Sequence, residues 1–316
     1  MEDWHPSTTQ AARLARDTLY QQIRQFFHQR NFIEVDPPLL GRAGSTDIHL
    51  HSLQTTVEQQ SFYLQTSPEF FMKRLLAAGS GPIYALTKSF RLGEQGRYHN
   101  LEFTILEWYQ PGFDDQQLME QVADLMSLLF NVAAIKTSYR DAFLKATGIN
   151  PHTATLSELA NFAKHQIDLV LTENEQTSND FWLDLIFSHC VQPTLSEATL
   201  IFDYPASQAA LAQLGNNSHG ESIARRFELF YQGVELGNGY CELTDEKEQR
   251  RRFEQDNQHR QTMGLETVAI DEKLLAGLSS GLPPCAGIAI GVDRLLMIKM
   301  GATNIENVID FPQYLL

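Results

Sequence analysis

Apolar positions recur along this chain with two periods, and the switches between those periods mark out its elements. Over residues 7–30, Ala11, Leu14, Ala15, Leu19, Ile23, Phe26 and Phe27 return at helical spacing, with Ser7 or Thr8 placed to cap the start. The chain then enters NFIEVDPPLL. Residues 33–35 read as a short strand stopped by Pro37 and Pro38, which cannot donate to a ladder. Residues 41–61 read as loop and edge structure. FYLQTSPEFFMKRLLAAG predicts a strand and then a helix capped by Ser67, with Pro68 and Glu69 in its first turn and Gly79 as its stop. Another strand, IYALTKSF, leads into a polar loop. Residues 114–134 predict a helix whose buried stripe is Leu118, Val122, Leu125, Leu128 and Leu129. Residues 138–195 break into short helices that suggest a helical insertion, LIFDYP is a strand, and 206–222, centred on GNNSHGES, reads as a mobile loop.

Three stretches carry more chemistry than these elements need. In FRLGEQGRYHNLEFTILEWYQ, residues 90–110, Arg91, Glu94, Arg97, His99, Asn100, Glu102 and Glu107 lie between and on two strands. Phe103, Ile105 and Trp108 are assigned to a packed face and Glu102, Thr104 and Glu107 to a chemical one. Such a hairpin either holds a charged ligand or is simply salt-bridged. In RFELFYQGVELGNGYCELTD, residues 226–245, Glu228 and Glu235 flank a turn at Gln232 and Gly233, and Asn238, Tyr240 and Glu242 follow. Carboxylates on adjoining strands repel unless cations separate them, and with only Arg225 and Arg226 nearby in sequence, a hard cation such as Mg2+ is the expectation. In GLPPCAGIAIGVDRLLMIKMGA a strand and a glycine turn lead to a helix with Asp293 and Arg294 in its first turn, a place suited to anions. A dinucleotide-type GxGxxG is absent there, because the glycines fall at 287 and 291 only. Glu69 either favours the dipole of its helix or meets an ammonium group. His49 and His51 could share a strand face as metal ligands do, but with no third ligand nearby they read as surface histidines.

Composition narrows the field. A formal charge of -15 over 316 residues argues against a general polyanion binder. Cys190, Cys241 and Cys285 form no CxxC pair, so neither zinc nor a disulfide framework is suggested, and a reduced cytoplasmic setting is expected. No secretory signal is visible at MEDWHPSTT, and no apolar run approaches the ~20 residues needed to cross a membrane.

Together these stretches resemble the signature motifs of class II aminoacyl-tRNA synthetases, in particular the lysyl type. NFIEVDPPLL is similar to motif 1, with Pro38 in its proline position; FRLGEQGRYHNLEFTILEWY is similar to motif 2, and GIAIGVDRLLM to motif 3. TSPE and ELGNGYCELTD are further lysyl-type blocks. With no stretch left for an anticodon-binding OB-fold, the resemblance is to the paralogues of lysyl-tRNA synthetase that pass an activated (R)-β-lysine to a lysine side chain of elongation factor P. It implies an α+β fold, a mostly antiparallel sheet flanked by helices, forming one catalytic domain over 1–316 with a helical insertion near 138–195. It further implies use of ATP and Mg2+, a homodimer built partly around motif 1, and elongation factor P rather than tRNA as acceptor, with no membrane involved.

The resemblance also implies roles. Arg91 would bridge the substrate carboxylate and the α-phosphate, Glu94 or the backbone near Gly93 and Asn100 would meet the nucleotide, and Phe103 would stack under adenine. Glu228 and Glu235 would hold Mg2+ near the Leu236 backbone, and Arg294 would clamp the γ-phosphate beside Gly291. Ser67, Pro68, Glu69, Glu107, Tyr109, Asn238, Glu242 and Ala289 would enclose the diamino acid. Two positions depart from the wider family: Gly93 stands where motif 2 commonly has its acid, which comes one later at Glu94, and Ala289 stands where lysyl-tRNA synthetases usually have glycine. A shortened enzyme charging tRNA and a non-catalytic amino-acid sensor are the alternatives. The missing anticodon domain weighs against the first and the intact Arg91, Glu235, Glu242 and Arg294 against the second.

Overall fold

The computed structural model describes residues 4–93, 96–167 and 178–316. The chain opens with α1 (Gln10–His28), β1 (Ile33–Glu34) and three short strands, β2 (Leu40–Gly41), β3 (Gln54–Val57) and β4 (Gln60–Leu64). Next come α2 (Glu69–Ala77), β5 (Ile83–Phe90), β6 (Glu102–Pro111), α3 (Asp115–Phe130) and β7 (Ile135–Ser138). Helices α4 (Tyr139–Thr147), α5 (Leu156–Gln166) and α6 (Asn179–Ile186) precede β8 (Thr199–Pro205), β9 (Leu214–Asn216), β10 (Ser222–Tyr231) and β11 (Val234–Cys241). The chain ends through α7 (Glu246–Thr262), α8 (Glu272–Gly281), β12 (Cys285–Gly291) and α9 (Val292–Met300).

The main sheet runs β1-β5-β6-β12-β11-β10-β8-β7, with β9 on β10. Only the outer pairs β1/β5 and β7/β8 are parallel, so the fold is α+β with a mostly antiparallel sheet flanked by helices. Strands β2, β4 and β3 form a small second sheet, where loop and edge structure was expected. Although last in sequence, β12 pairs between β6 and β11, and that insertion brings the three dense stretches together at the middle of the sheet.

The two-residue period of a strand decides what each face carries. Tyr84, Leu106 and Trp108 join Phe27 of α1, Val122 of α3 and Leu296 of α9 in one core, whereas Ile83, Ala85 and Tyr109 join Met72 of α2 and Leu275 and Leu278 of α8 in another. The face assignment made from apolar character alone is therefore corrected. Glu107 lies on the side of Phe103, Ile105 and Tyr109, and Trp108 lies on the side of Thr104 and Leu106, fully buried with its Nε1 donating to Gln121 Oε1 at 2.7 Å.

Several helix details differ from expectation for local reasons. Thr9, not Ser7 or Thr8, caps α1 by accepting from the Ala12 amide, because the Ser7 and Thr8 hydroxyls are engaged by the C-terminal segment at Ile309 and Asp310. Ala12 rather than Ala11 and Leu14 faces the core, and Leu128 is exposed on α3. Helix α3 stops at Phe130, where Asn131 takes the left-handed conformation at φ 56°. Pro68 is the boundary residue of α2 and no side chain caps it, so Ser67 is not its cap. The expected loop at 206–222 contains β9 and a tight turn into β10, closed by the Asn217 amide donating to the Glu221 carbonyl. Helices α4 to α6 do form where short helices were read, with Tyr139, Phe143, Trp182 and Phe187 packing on Ile201, Tyr204 and Phe230 of the sheet.

Candidate active site

Directly opposed residues on neighbouring strands project from the same face of a sheet. One row across the middle of this sheet therefore runs Ala85, Glu107, Ala289, Asn238 and Glu228, and the next runs Ile83, Tyr109, Gly287, Tyr240 and Arg226. Residues far apart in sequence become one polar surface. Its floor is kept low by small residues: a Cβ on Gly287 would lie 2.3 Å from the Tyr109 ring and 2.9 Å from Glu242 Oε1.

At one end of this surface is a buried acid cluster. Glu107 and Glu242 are 1% and 0% exposed, and Glu69 in the first turn of α2 faces them. Lys73, one turn further along α2, sets its Nζ 2.6 Å from Glu69 Oε1 and 2.6 Å from Glu242 Oε2. Tyr109 donates its hydroxyl to Glu107 Oε1 at 2.6 Å. Glu107 Oε2 and both Glu242 oxygens have no hydrogen-bond partner among the described residues, Oε2 of Glu242 being held by its ion pair with Lys73. Burial, reinforced by the charge of Glu69, pushes the Glu107 carboxyl well above the usual carboxylate range. Burial also drives Glu242 up to about 8, with Lys73 opposing and Glu69 adding to the shift. A cationic ligand meets here what ionised carboxylates lack.

Arg91 and Arg294 lie toward the other end. The Arg91 guanidinium sits 5.2 Å from the centroid of the Phe103 ring, and its Nε donates to the Thr66 carbonyl at 3.4 Å. Arg294, in the first turn of α9 beside Gly291, donates to the carbonyls of Tyr98 at 3.2 Å and Glu235 at 2.8 Å and lies 2.8 Å from His99 Nε2. Its neighbour Asp293 points the other way, accepting from Arg16 of α1 at 2.6 Å and from the Thr104 amide at 2.7 Å. Asn100 bonds the Glu102 carbonyl and the Gln313 amide. Gly93 takes φ +85°, and Leu236 is buried in the main core. Glu94 lies outside the described residues.

The expectation that Glu228, Glu235 and Glu242 have only Arg225 and Arg226 nearby is corrected. Arg226 pairs with Glu228, Lys73 with Glu242, and Arg294 Nη1 stands 4.0 Å from Glu235 Oε2. Asn238 accepts from Arg226 Nε at 3.0 Å and Tyr204 donates to Glu228 Oε2 at 2.7 Å. Even so, Glu228 is pushed up to about 7, chiefly by burial, with Arg226 opposing and the nearby Glu235 adding to the rise. Among the described residues no group of three or more His, Cys, Asp or Glu side chains is placed to hold a metal. Two hard carboxylate donors whose charges disfavour each other nevertheless fit Mg2+, which binds through one or two carboxylates when phosphate oxygens complete its shell. His49 is exposed on the loop after Asp47, and His51 bridges to Leu92.

The residues that reading the sequence missed are Lys73, His99 as a partner of Arg294, and Tyr204. A signal for Lys73 existed in TSPEFFMK, since i,i+4 spacing puts it on the same helix face as Glu69. Tyr204 carried none.

Comparison with known proteins gives a consistent result. Residues 3–314 match the family model described as tRNA synthetases class II (D, K and N). The chain is similar to proteins named "Elongation factor P--(R)-beta-lysine ligase" from several bacteria. Identity is 45% for that of Proteus mirabilis, over 99% of this chain and 98% of the relative. For that of Hamiltonella defensa it is 43%, over 98% and 97%. For that of Pseudoalteromonas translucida it is 45%, over 98% and 97%.

Proposed function

The chain belongs to the class II tRNA synthetase family of the D, K and N type, and from that premise we propose that it is an ATP-dependent ligase activating (R)-β-lysine, or lysine, for transfer to a lysine side chain of elongation factor P. The observation that carries the substrate class is the buried acid cluster. Glu107 and Glu242 have unsatisfied oxygens and raised pKa values that a ligand with two ammonium groups would relieve.

In this reading Ser67, Pro68, Glu69, Glu107, Tyr109, Asn238 and Glu242 enclose the diamino acid, with Ala289 on the floor between Glu107 and Asn238. Arg91 orients the substrate carboxylate toward the α-phosphorus, a matter of alignment rather than acid or base chemistry, since that carboxylate is already an anion at neutral pH. Its oxygen forms the bond to phosphorus as the bond to pyrophosphate breaks, which yields the aminoacyl-adenylate. Phe103 stacks under adenine, with Gly93, Glu94 and Asn100 around the nucleotide. Arg294 meets the γ-phosphate beside Gly291. Glu228 and Glu235, near the Leu236 backbone, would hold Mg2+, which when bound would offset phosphate charge. A neutral amine of the acceptor then attacks the acyl carbon, AMP leaves with the electron pair of the broken acyl–phosphate anhydride bond, and the nitrogen releases one proton to solvent as the amide forms.

A homodimer and a cytoplasmic setting belong to the same proposal. Among the described residues no helix is long and apolar enough to cross a membrane. The test is ATP–pyrophosphate exchange with (R)-β-lysine and with lysine, followed by parallel transfer of the labelled amino acid to elongation factor P and to tRNA. Exchange with transfer to elongation factor P is expected. Exchange with neither amino acid overturns the enzyme reading, and transfer to tRNA alone overturns the acceptor.

A further inference from the structure

The acid cluster holds three carboxylates, Glu69, Glu107 and Glu242, and one internal cation, Lys73. When all are ionised the cluster carries two net negative charges, which equals the two ammonium groups of a diamino acid. Resting on the substrate class just proposed, we infer that Lys73 is a positioning and specificity residue that orients Glu242 and Glu69 and supplies the internal positive charge against which a ligand with two ammonium groups is balanced.

The geometry is unusual for a structural ion pair. Lys73 is 2% exposed, and its ammonium is shared between α2 and the end of β11 at 2.6 Å to each carboxylate. Removing a buried charge from water is costly, so a lone structural pair would be replaced by apolar groups at little loss. Here the second carboxylate keeps an oxygen, Glu242 Oε1, directed at the polar surface beside Gly287. The ion pair from Lys73 to Oε2 therefore sets the orientation of the carboxylate, and with it of Oε1. Burial alone would favour the neutral amine, but Glu242 and Glu69 outweigh it and hold Lys73 protonated above the ordinary lysine range. The cation is thus constant across the working pH. It also keeps an internal amine non-nucleophilic beside an activated acyl group.

The titratable groups around Lys73 and its two carboxylates are Glu69 on its own helix, Glu242 at the end of β11, Tyr240 and Cys241 on β11, Glu107 and Tyr109 on β6, and Cys285 on β12; α8 covers α2 with Leu274, Leu275 and Leu278. Without Lys73 nothing in that set opposes protonation of Glu242, whose pKa already stands at about 8. Amino-acid binding at neutral pH would then have to drive off a proton held more tightly than in the wild type.

The experiment is ATP–pyrophosphate exchange by the full chain with (R)-β-lysine, comparing wild type with Lys73→Met and Lys73→Gln. Each unit of pKa rise at Glu242 is worth a factor of about ten, so the neutral variants should raise the amino-acid KM about tenfold or more at about pH 7. The deficit should narrow as pH rises toward about 9, with the KM for ATP changed less than about twofold. An unchanged amino-acid KM, a rise by the same factor at every pH, or a parallel rise for ATP overturns the inference. Absence of exchange in wild type would instead overturn the proposed function. Should the neutral variants not fold, the ammonium resonance of Lys73 in wild type decides. It should stay that of a charged amine from about pH 6 to about 10, and a titration inside that window overturns the inference.

Discussion

At the scale of single residues, the site depends on what is small as much as on what is charged. Gly287 has an ordinary backbone conformation, and its constraint is space: the ring of Tyr109 lies where a methyl would go. Tyr109 in turn supplies the hydrogen bond to Glu107. Gly287→Ala should therefore displace that ring, lower kcat/KM for the amino acid at least about tenfold and cost about 1–3 kcal/mol of stability, as read from exchange kinetics and denaturant unfolding. Ala289, opposed to both Glu107 and Asn238, tests a finer point. If its methyl shapes the pocket against lysine, Ala289→Gly should change the ratio of kcat/KM between lysine and (R)-β-lysine, and an unchanged ratio removes that idea. Glu242 has a stability signature of its own. Its folded pKa of about 8 lies above the usual value of 4.5, so the ligand-free protein holds the extra proton and loses stability as pH rises between those values. The stability of Glu242→Gln relative to wild type should accordingly improve as pH increases through that window, by up to ~1.4 kcal/mol per pH unit, and stay flat above it. A flat difference throughout would mean that Glu242 is ionised in the free enzyme.

Among the elements, α9 shows how position is transmitted to the site. Its first turn presents Arg294 to the surface while Asp293 anchors the helix to α1 through Arg16 and to β6 through the Thr104 amide. Asp293→Asn leaves Arg16 without its counter-charge and should cost about 3 kcal/mol in unfolding experiments. It should also raise the KM for ATP more than that for the amino acid. How much of this was legible in sequence depends on the range of the interaction. Local periods identified α1, α3, β5, β6 and the short helices α4 to α6, and the motif blocks pointed to Arg91, Glu107, Glu242 and Arg294. The face of β6 was misread because apolar character was used where the strand's period governs, putting Glu107 opposite Ile105 although they are two residues apart. Leu14 and Leu128 fitted a helical stripe yet are exposed, since periodicity cannot say where a neighbouring element ends. The cations facing Glu228 and Glu242 were missed for a different reason. Arg226 lies two residues from Glu228 on β10 and so shares its face, a signal the strand's period already carried, whereas Lys73 reaches Glu242 only because β12 and β11 lie beside β6.

Across the whole molecule, charge bears on the two acceptors weighed above, elongation factor P and tRNA. The chain carries -15 overall, and its arginines are largely committed: Arg250, Arg251 and Arg252 of α7 pair with Glu246, Glu248 and Glu272, and Arg260 is buried with its guanidinium on the Asp47 and Glu266 carbonyls. Binding to a nucleic acid draws on cations free to neutralise phosphates and falls with added salt. The net negative charge works against that term, and in the proposed function the cations of the site meet only the nucleotide's few phosphates. Bulk tRNA should consequently be a poor competitor. In transfer assays with elongation factor P, tRNA added in roughly hundredfold excess over enzyme should change the rate less than about twofold, even at low ionic strength where polyanion binding is strongest. Strong inhibition that disappears with salt would reveal a basic track formed despite the net charge, and would reopen tRNA as an acceptor for this chain.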